Sequence, residues 1–103
     1  MNIRKDTFAA IFRRLRVLSG FFSLTYLSDQ LYYEGLNIDQ SILSRWQTGN
    51  RVPRCRRTIL IIIKMFYLNG GIENENAANE MLEAADMGYL TNKEKAEIFN
   101  NKN

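Results

Sequence analysis

Between Gln40 and Arg54 the chain concentrates side chains that make paired, directional hydrogen bonds: Gln40, Ser41, Ser44, Arg45, Asn50, Arg51 and Arg54. A glutamine amide sets a donor beside an acceptor, which matches the exposed edge of adenine. A guanidinium is a rigid fork of donors that matches the edge of guanine or a phosphate. Reactive chemistry is poorly supplied by contrast. The chain has no histidine and a single cysteine, Cys55. Zinc or haem sites of the usual nitrogen and sulfur type, and Ser-His-Asp or Cys-His nucleophiles, therefore cannot be assembled. No glycine-rich phosphate loop occurs, and Gly70-Gly71 reads as a turn. Glu73, Glu75, Glu80, Glu83 and Asp86 cluster late in the chain, mainly on what would be the outer face of a helix, and nothing sets two of them across a cleft. The expectation is a binding protein, not an enzyme, with no cofactor and no metal.

Charge separates the chain into two regions. The formal net charge is +3, from 14 Lys and Arg against 11 Asp and Glu. Residues 1–68 carry eleven basic and four acidic side chains, a net of +7; residues 69–103 carry three basic and seven acidic ones, a net of −4. A basic block of this size suits a polyanion, nucleic acid being the commonest, although an unevenly charged solvated surface would look the same. Length gives one domain of 103 residues with a modest core. One cysteine excludes an internal disulfide, which fits a reducing cytoplasmic compartment. Ile3–Leu18 is studded with arginine and does not read as a signal peptide. The longest apolar run, around Ile59–Leu68, is broken by Lys64 and falls far short of the ~20 residues that span a bilayer.

The elements that would position these groups are helices. Phe8, Ile11, Phe12, Leu15 and Leu18 recur at helical spacing, giving an amphipathic helix over about Thr7–Ser19 with Arg13, Arg14 and Arg16 mostly off the apolar stripe. Asp6 or Thr7 caps its start and Gly20 ends it. Ser23 caps a second helix, Leu24–Tyr33, with Leu27 and Leu31 inward. Asp39 caps a third, Gln40–Thr48, which Gly49 ends. Pro53 suits the first position of a fourth helix reaching Leu68. That helix is apolar almost all round and needs cover on more than one side. Ile59–Ile63 is β-branched enough for a strand, but it lies inside a long periodic segment, so helix is preferred. A fifth helix, Glu75–Ala85, and a sixth beginning with the capping-box pattern Thr91-Asn92-Lys93-Glu94 would cover the flank of the fourth. The rival cover is a dimer across the fourth helix.

Ile38–Pro53 reads I-D-Q-S-I-L-S-R-W-Q-T-G-N-R-V-P. This resembles the lambda-repressor-like helix-turn-helix family, also called the XRE type: Leu43, Ser44, Arg45, Trp46, Gly49, Arg51 and Pro53 match its pattern, and Gln47 stands where glutamate is usual. Phe8–Leu68 is similar more weakly, as the family's four helices. The resemblance implies an all-α bundle of five or six helices. Residues 1–69 would form the DNA-binding region, and 70–103 an acidic extension packed on it within one domain. It implies that the third helix enters the major groove of double-stranded DNA, with Gln40, Ser41, Ser44 and Arg45 reading bases. Ser23, Asn50, Arg51 and Arg54 would hold phosphates, while Trp46 and Ile42 or Leu43 pack the helix onto the second helix and the core.

Alternatives stand beside each assignment. Arg45 could pair with Asp29; Arg13, Arg14, Arg16, Arg56 and Arg57 read mainly as solvated faces; Tyr32 and Tyr33 could stack on bases or pack. The connection between the second and third helices is longer than the family's, which leaves the angle of the third helix open. The leading expectation is a sequence-specific transcriptional regulator of a microbe or phage, acting as a homodimer through the fourth helix or the acidic tail. The rival is a protein-interaction module, an antitoxin or adaptor, docking a partner on the acidic C-terminal helices.

Overall fold

The computed structural model describes residues 7–100, over which the chain forms helices and no strand. In order these are α1 (Phe8–Leu18), α2 (Leu24–Tyr33), α3 (Gln40–Thr48), α4 (Arg56–Leu68), α5 (Glu75–Ala84) and α6 (Asn92–Phe99). The Cα radius of gyration, 13.1 Å, is that of a single body of about 100 residues. None of the described helices is long and apolar enough to cross a membrane. Ile59–Ile63 is helical, so its β-branching is overridden by its place in a long periodic segment.

Most helix starts follow from one side chain each. Thr7, Ser23, Asp39, Asn74 and Thr91 each accept a hydrogen bond from a first-turn amide, removing an otherwise orphaned donor. The Thr91 and Glu94 box closes in both directions. Asp6, the alternative cap for α1, lies outside the described residues. The fourth start differs from expectation. Pro53 is not the first residue of α4; Cys55 occupies the cap position without a side-chain bond and the helix begins at Arg56. Residues 51–55 run without regular structure, and the buried Pro53 ring anchors them. The fixed φ of proline suits such extended chain as well as a helix start, so the residue type alone did not choose between them.

The core forms where α1, α3 and α4 meet. Phe12 is fully buried against Trp46 of α3 (ring centroids 5.8 Å apart, edge on) and Phe66 of α4 (6.3 Å, stacked). Phe8 meets the same Trp46 edge-on at 6.4 Å. Such pairs contribute roughly 0.5–1.5 kcal/mol each beyond the area they bury. The third helix therefore rests chiefly on α1 and secondarily on α2, with Leu43 fully buried and Ile42 only partly.

The C-terminal helices divide their work. α6 packs on α4, where Phe99 meets Tyr67 edge-on at 4.8 Å; α5 packs on α1 instead. The acidic extension thus covers α4 chiefly through α6, while α1 also contributes to its burial through Phe12. Four of the extension's seven carboxylates are engaged within the chain. Glu80 pairs with Arg14 at 3.4 Å, Glu75 with Lys95 at 3.3 Å and Glu94 with Arg56 at 2.7 Å, and Glu83 accepts from the Tyr89 hydroxyl at 2.7 Å.

A close approach locks the turn after α4 to the end of α1. A Cβ at Gly71 would stand 1.8 Å from Ser19 Oγ and 2.7 Å from the Leu15 carbonyl. Gly71 is therefore more than a turn residue. The Ser19 hydroxyl, itself buried, donates to the Leu15 carbonyl at 2.7 Å and reaches the Phe66 carbonyl at 3.4 Å.

Candidate nucleic-acid interface

Burying Leu43 and Trp46 determines which side of α3 faces out. With 3.6 residues per turn, Ser41, Arg45 and Thr48 lie opposite that apolar pair, and all three are exposed. Gln40 is exposed at one margin of this face, and Ser44 is half-buried on its flank. The expected reading set therefore shares one side of the helix, but Ser44 is its least accessible member. Its place between the outer face and the core-facing Gln47 sinks it. Thr48 joins the outer face although the sequence reading did not single it out. Its hydroxyl reaches back to the Arg45 carbonyl at 3.3 Å.

The start of α3 is held from two sides. Asp39 accepts from the Ser41 amide at 3.2 Å and from the Ser41 hydroxyl at 2.5 Å. These bonds, the hydroxyl's first, hold the Asp39 carboxyl below its usual pKa. The Ser41 proton is thus committed to the cap, leaving the hydroxyl as an acceptor toward the outside. Thr25 of α2 donates to the Gln40 amide oxygen at 2.7 Å. The side chain is steadied while its two amide hydrogens and one further lone pair stay available. Ser28 adds a second tie by donating to the Ile38 carbonyl at 2.7 Å.

The long connection is resolved as follows. α2 runs on to Tyr33, Gly35 turns with φ +90° and Leu36 plugs into the core. The Leu36 amide bonds to the Leu31 carbonyl at 2.9 Å and that of Gly35 to Tyr32 at 3.0 Å, the double bond of a Schellman ending. The extra residues are absorbed by this anchored turn, and the hydrogen bonds of Thr25 and Ser28 determine how α3 meets α2.

Ser23 caps α2 by accepting from the Tyr26 amide at 3.0 Å. The Thr25 to Gln40 bond brings that helix start beside the start of α3. At the other end Gly49, with φ +87° and about 14 Å along the axis from Gln40, stops α3, and the exposed Asn50, Arg51 and Arg54 follow it. Arg51 and Arg54 line an open cleft of about 830 Å³ together with Ala84, Ala85, Asp86 and Met87. Arg45 forms no ion pair with Asp29 or with any other described acid. The resulting edge runs from a helix start, along a polar helix face, to a basic loop.

Two arginines differ from their expected solvated role. Arg16 is 5% exposed. Its Nε donates to Gln47 Oε1 at 3.0 Å and one terminal nitrogen to the Phe21 carbonyl at 2.6 Å, tying α1 to α3. Burial, and then the neighbouring charge of Arg13, lowers its pKa. Arg56 is a clamp. It makes two bonds to Glu94, at 2.7 and 2.9 Å, and donates to the carbonyls of Gly88 and Tyr89 at 3.0 and 3.1 Å. Glu94 is pulled down to about 2 from 4.5, first by Arg56 and then by the Thr91 amide, and Arg56 is raised in turn, chiefly by its bond to Glu94. Neither contact could be found from spacing, because the partners lie 31 and 38 residues apart. Tyr32 and Tyr33 are exposed and do not pack into the core.

The described residues contain no group of three or more Cys, Asp or Glu side chains arranged to hold a metal. No protein-family model, no curated protein and no solved structure matches the chain.

Proposed function

We propose that this protein is a sequence-specific double-stranded DNA-binding regulator of the lambda-repressor-like helix-turn-helix type, with α2 and α3 as its two helices. The observation that carries the reading is the outer face of α3. Gln40 and Arg45 stand free of the core, their neighbour Ser41 presents an acceptor, and a basic loop follows at Asn50, Arg51 and Arg54. Such a helix fits the major groove with its N-terminal half toward the bases. Gln40, steadied by Thr25, pairs with adenine, and Arg45 with guanine. Ser44, half-buried, contributes to contact more than to reading. The first-turn amides of α2 beside Ser23, together with Asn50, Arg51 and Arg54, take phosphates and set the register without reading sequence.

Selection from a random duplex library at about 150 mM salt tests this, with Arg45→Ala run in parallel. A recurring site that the variant no longer enriches is the expected result. A single good base pairing is worth roughly 1–3 kcal/mol of discrimination, so the site should lose at least several-fold of its preference at one position. Arg51→Ala should instead weaken all sequences alike and flatten the salt dependence. An absence of any enriched site, with binding indifferent to Arg45, refutes the reading.

A further inference from the structure

Four of the five exposed aromatic side chains among the described residues lie on and beside α2, Tyr89 being the fifth. Tyr33 is 80% exposed, Tyr32 66% and Tyr26 48%, and Phe22, just before the helix, is 76% exposed. Tyr26, Asp29, Gln30, Tyr32 and Tyr33 border one shallow groove of about 290 Å³, and the two C-terminal tyrosine rings meet edge-on at 6.3 Å. Single exposed apolar residues need no explanation, but a contiguous group of this kind marks an interaction surface. The face is distinct from the edge described above. Leu27 and Leu31 point to the core, the Thr25 and Ser28 row holds α3, and Tyr26, Gln30 and Tyr33 lie on the side away from both.

We propose that this face is a two-fold interface with a second copy of the same chain, α2 against α2 and antiparallel. Two observations favour a copy of itself over another partner. The first is its symmetry. Along the helix the order is Tyr26, then Asp29 and Gln30, then Tyr33, and the midpoint of the stripe falls between Asp29 and Gln30. A two-fold axis through that midpoint lays Tyr26 on the partner's Tyr33, and sets the Asp29 carboxylate where it accepts from the amide of the partner's Gln30. Isologous contacts require this self-complementarity. The stripe carries no basic group and only one acid, so self-association brings together only the two Asp29 carboxylates, each beside an amide of the partner's Gln30, and an anionic lipid surface or nucleic acid finds no cation on it. The second is area. Tyr26, Tyr33 and the neighbouring Phe22 expose roughly 400 Å², against about 800 Å² per partner in an interface of standard size. They provide about half of what a specific dimer buries, and Tyr32, on the Thr25 and Ser28 side of the helix, adds only at the margin. The interface differs from the fourth-helix and acidic-tail dimers expected from sequence. α4 is covered on one flank by α6 and on another by α1, and three of the tail's acids are paired within the chain.

The inference rests on this surface and not on the DNA reading, although a regulator with two half-sites requires such a pairing. Light scattering on the full chain without DNA, across a concentration series, tests it. The expected mass is twice the 12.0 kDa of one chain. Tyr26→Lys and Tyr33→Glu should each run as a monomer with helical content unchanged, because Tyr33 is in solvent and the methylene stem of a lysine can cover Phe21 as the half-exposed Tyr26 ring does at 5.5 Å. Mixed in equal amounts, the two variants should recover the dimer, because the antiparallel register sets the new lysine opposite the new glutamate. A wild type that is monomeric to about 100 μM, a dimer that survives in both variants, or variants that stay monomeric when mixed would each overturn the proposal. A dimer without an enriched DNA site refutes only the DNA reading, and a monomer with an enriched site refutes only the dimer.

Discussion

Replacing Glu94 by glutamine isolates the charge that fastens the C-terminal helices to α4. Glutamine at the third helical position still closes a capping box with Thr91, so the start of α6 is kept while the ion pair with Arg56 is lost. In the folded protein the Glu94 carboxyl titrates at about 2 rather than 4.5. At about 1.4 kcal/mol per pH unit that places a ceiling of roughly 3 kcal/mol on its contribution. The side chains of Arg56 and Glu94 are 32% and 17% exposed, so water screens part of the attraction and about 1–2 kcal/mol is the working figure. For a domain of this size the melting temperature should fall by roughly 5–15 °C at neutral pH. The pH dependence gives the sharper test. A carboxyl held below its unfolded pKa stabilises fully above about 4.5, and the contribution is lost as pH falls through about 2. Melting curves of wild type and Glu94→Gln, followed by circular dichroism, should therefore be well separated near neutrality and converge toward pH 2. Equal midpoints at neutral pH, or a gap that does not close on acidification, would refute the view that this charged clamp holds the extension in place.

Three further perturbations address other contacts. Gln47→Glu supplies the buried Arg16 guanidinium with a charged acceptor where it now meets a neutral amide at 3.0 Å; the urea midpoint should rise by an equivalent of about 1 kcal/mol, and a fall would show that the carboxylate costs more to bury than it returns. Gly71→Ala drives a methyl group against Ser19 and the Leu15 carbonyl, so chemical denaturation should report a loss of roughly 1–3 kcal/mol; an unchanged midpoint would show that the turn yields freely. Asp86 sits at φ 62° just past the end of α5, a seat that suits glycine, and it lines the same cleft as Arg51 and Arg54. Asp86→Gly should stabilise the protein by about 1 kcal/mol and, on the proposed DNA reading, tighten binding to duplex DNA several-fold in a fluorescence titration by removing an acid from that cleft; no change in affinity would separate the cleft from the proposed phosphate contacts.

Local chemistry made much of the helical framework readable. Ser23, Asp39 and Thr91 cap where their side chains reach the next turn's amides, Gly49 supplies the left-handed stop, and the ends of α2 and α3 fall where those residues put them. The apolar spacing likewise identified Leu27 and Leu31 as core, and the resemblance did the same for Trp46, while the choice between Ile42 and Leu43 was settled in favour of Leu43 only by the structure, and with it the side of α3 that faces out. Pro53 shows the limit of this reasoning, since a fixed φ serves an extended run as well as a helix start.

Local sequence thus placed every helix start but that of α4, and most of each apolar stripe, Leu18 being exposed, because both depend on residues within one or two turns of each other. Tertiary structure decided the rest. It turned Arg16 inward onto Gln47, set Thr25 behind Gln40, lowered Ser44 to the flank of the outer face, placed α5 on α1 rather than α4, and joined Arg56 to Glu94. Each of these outcomes depends on which helix faces which across the core, and a charged or polar side chain carries no local mark of a partner that packing brings to it from 15 to 38 residues away.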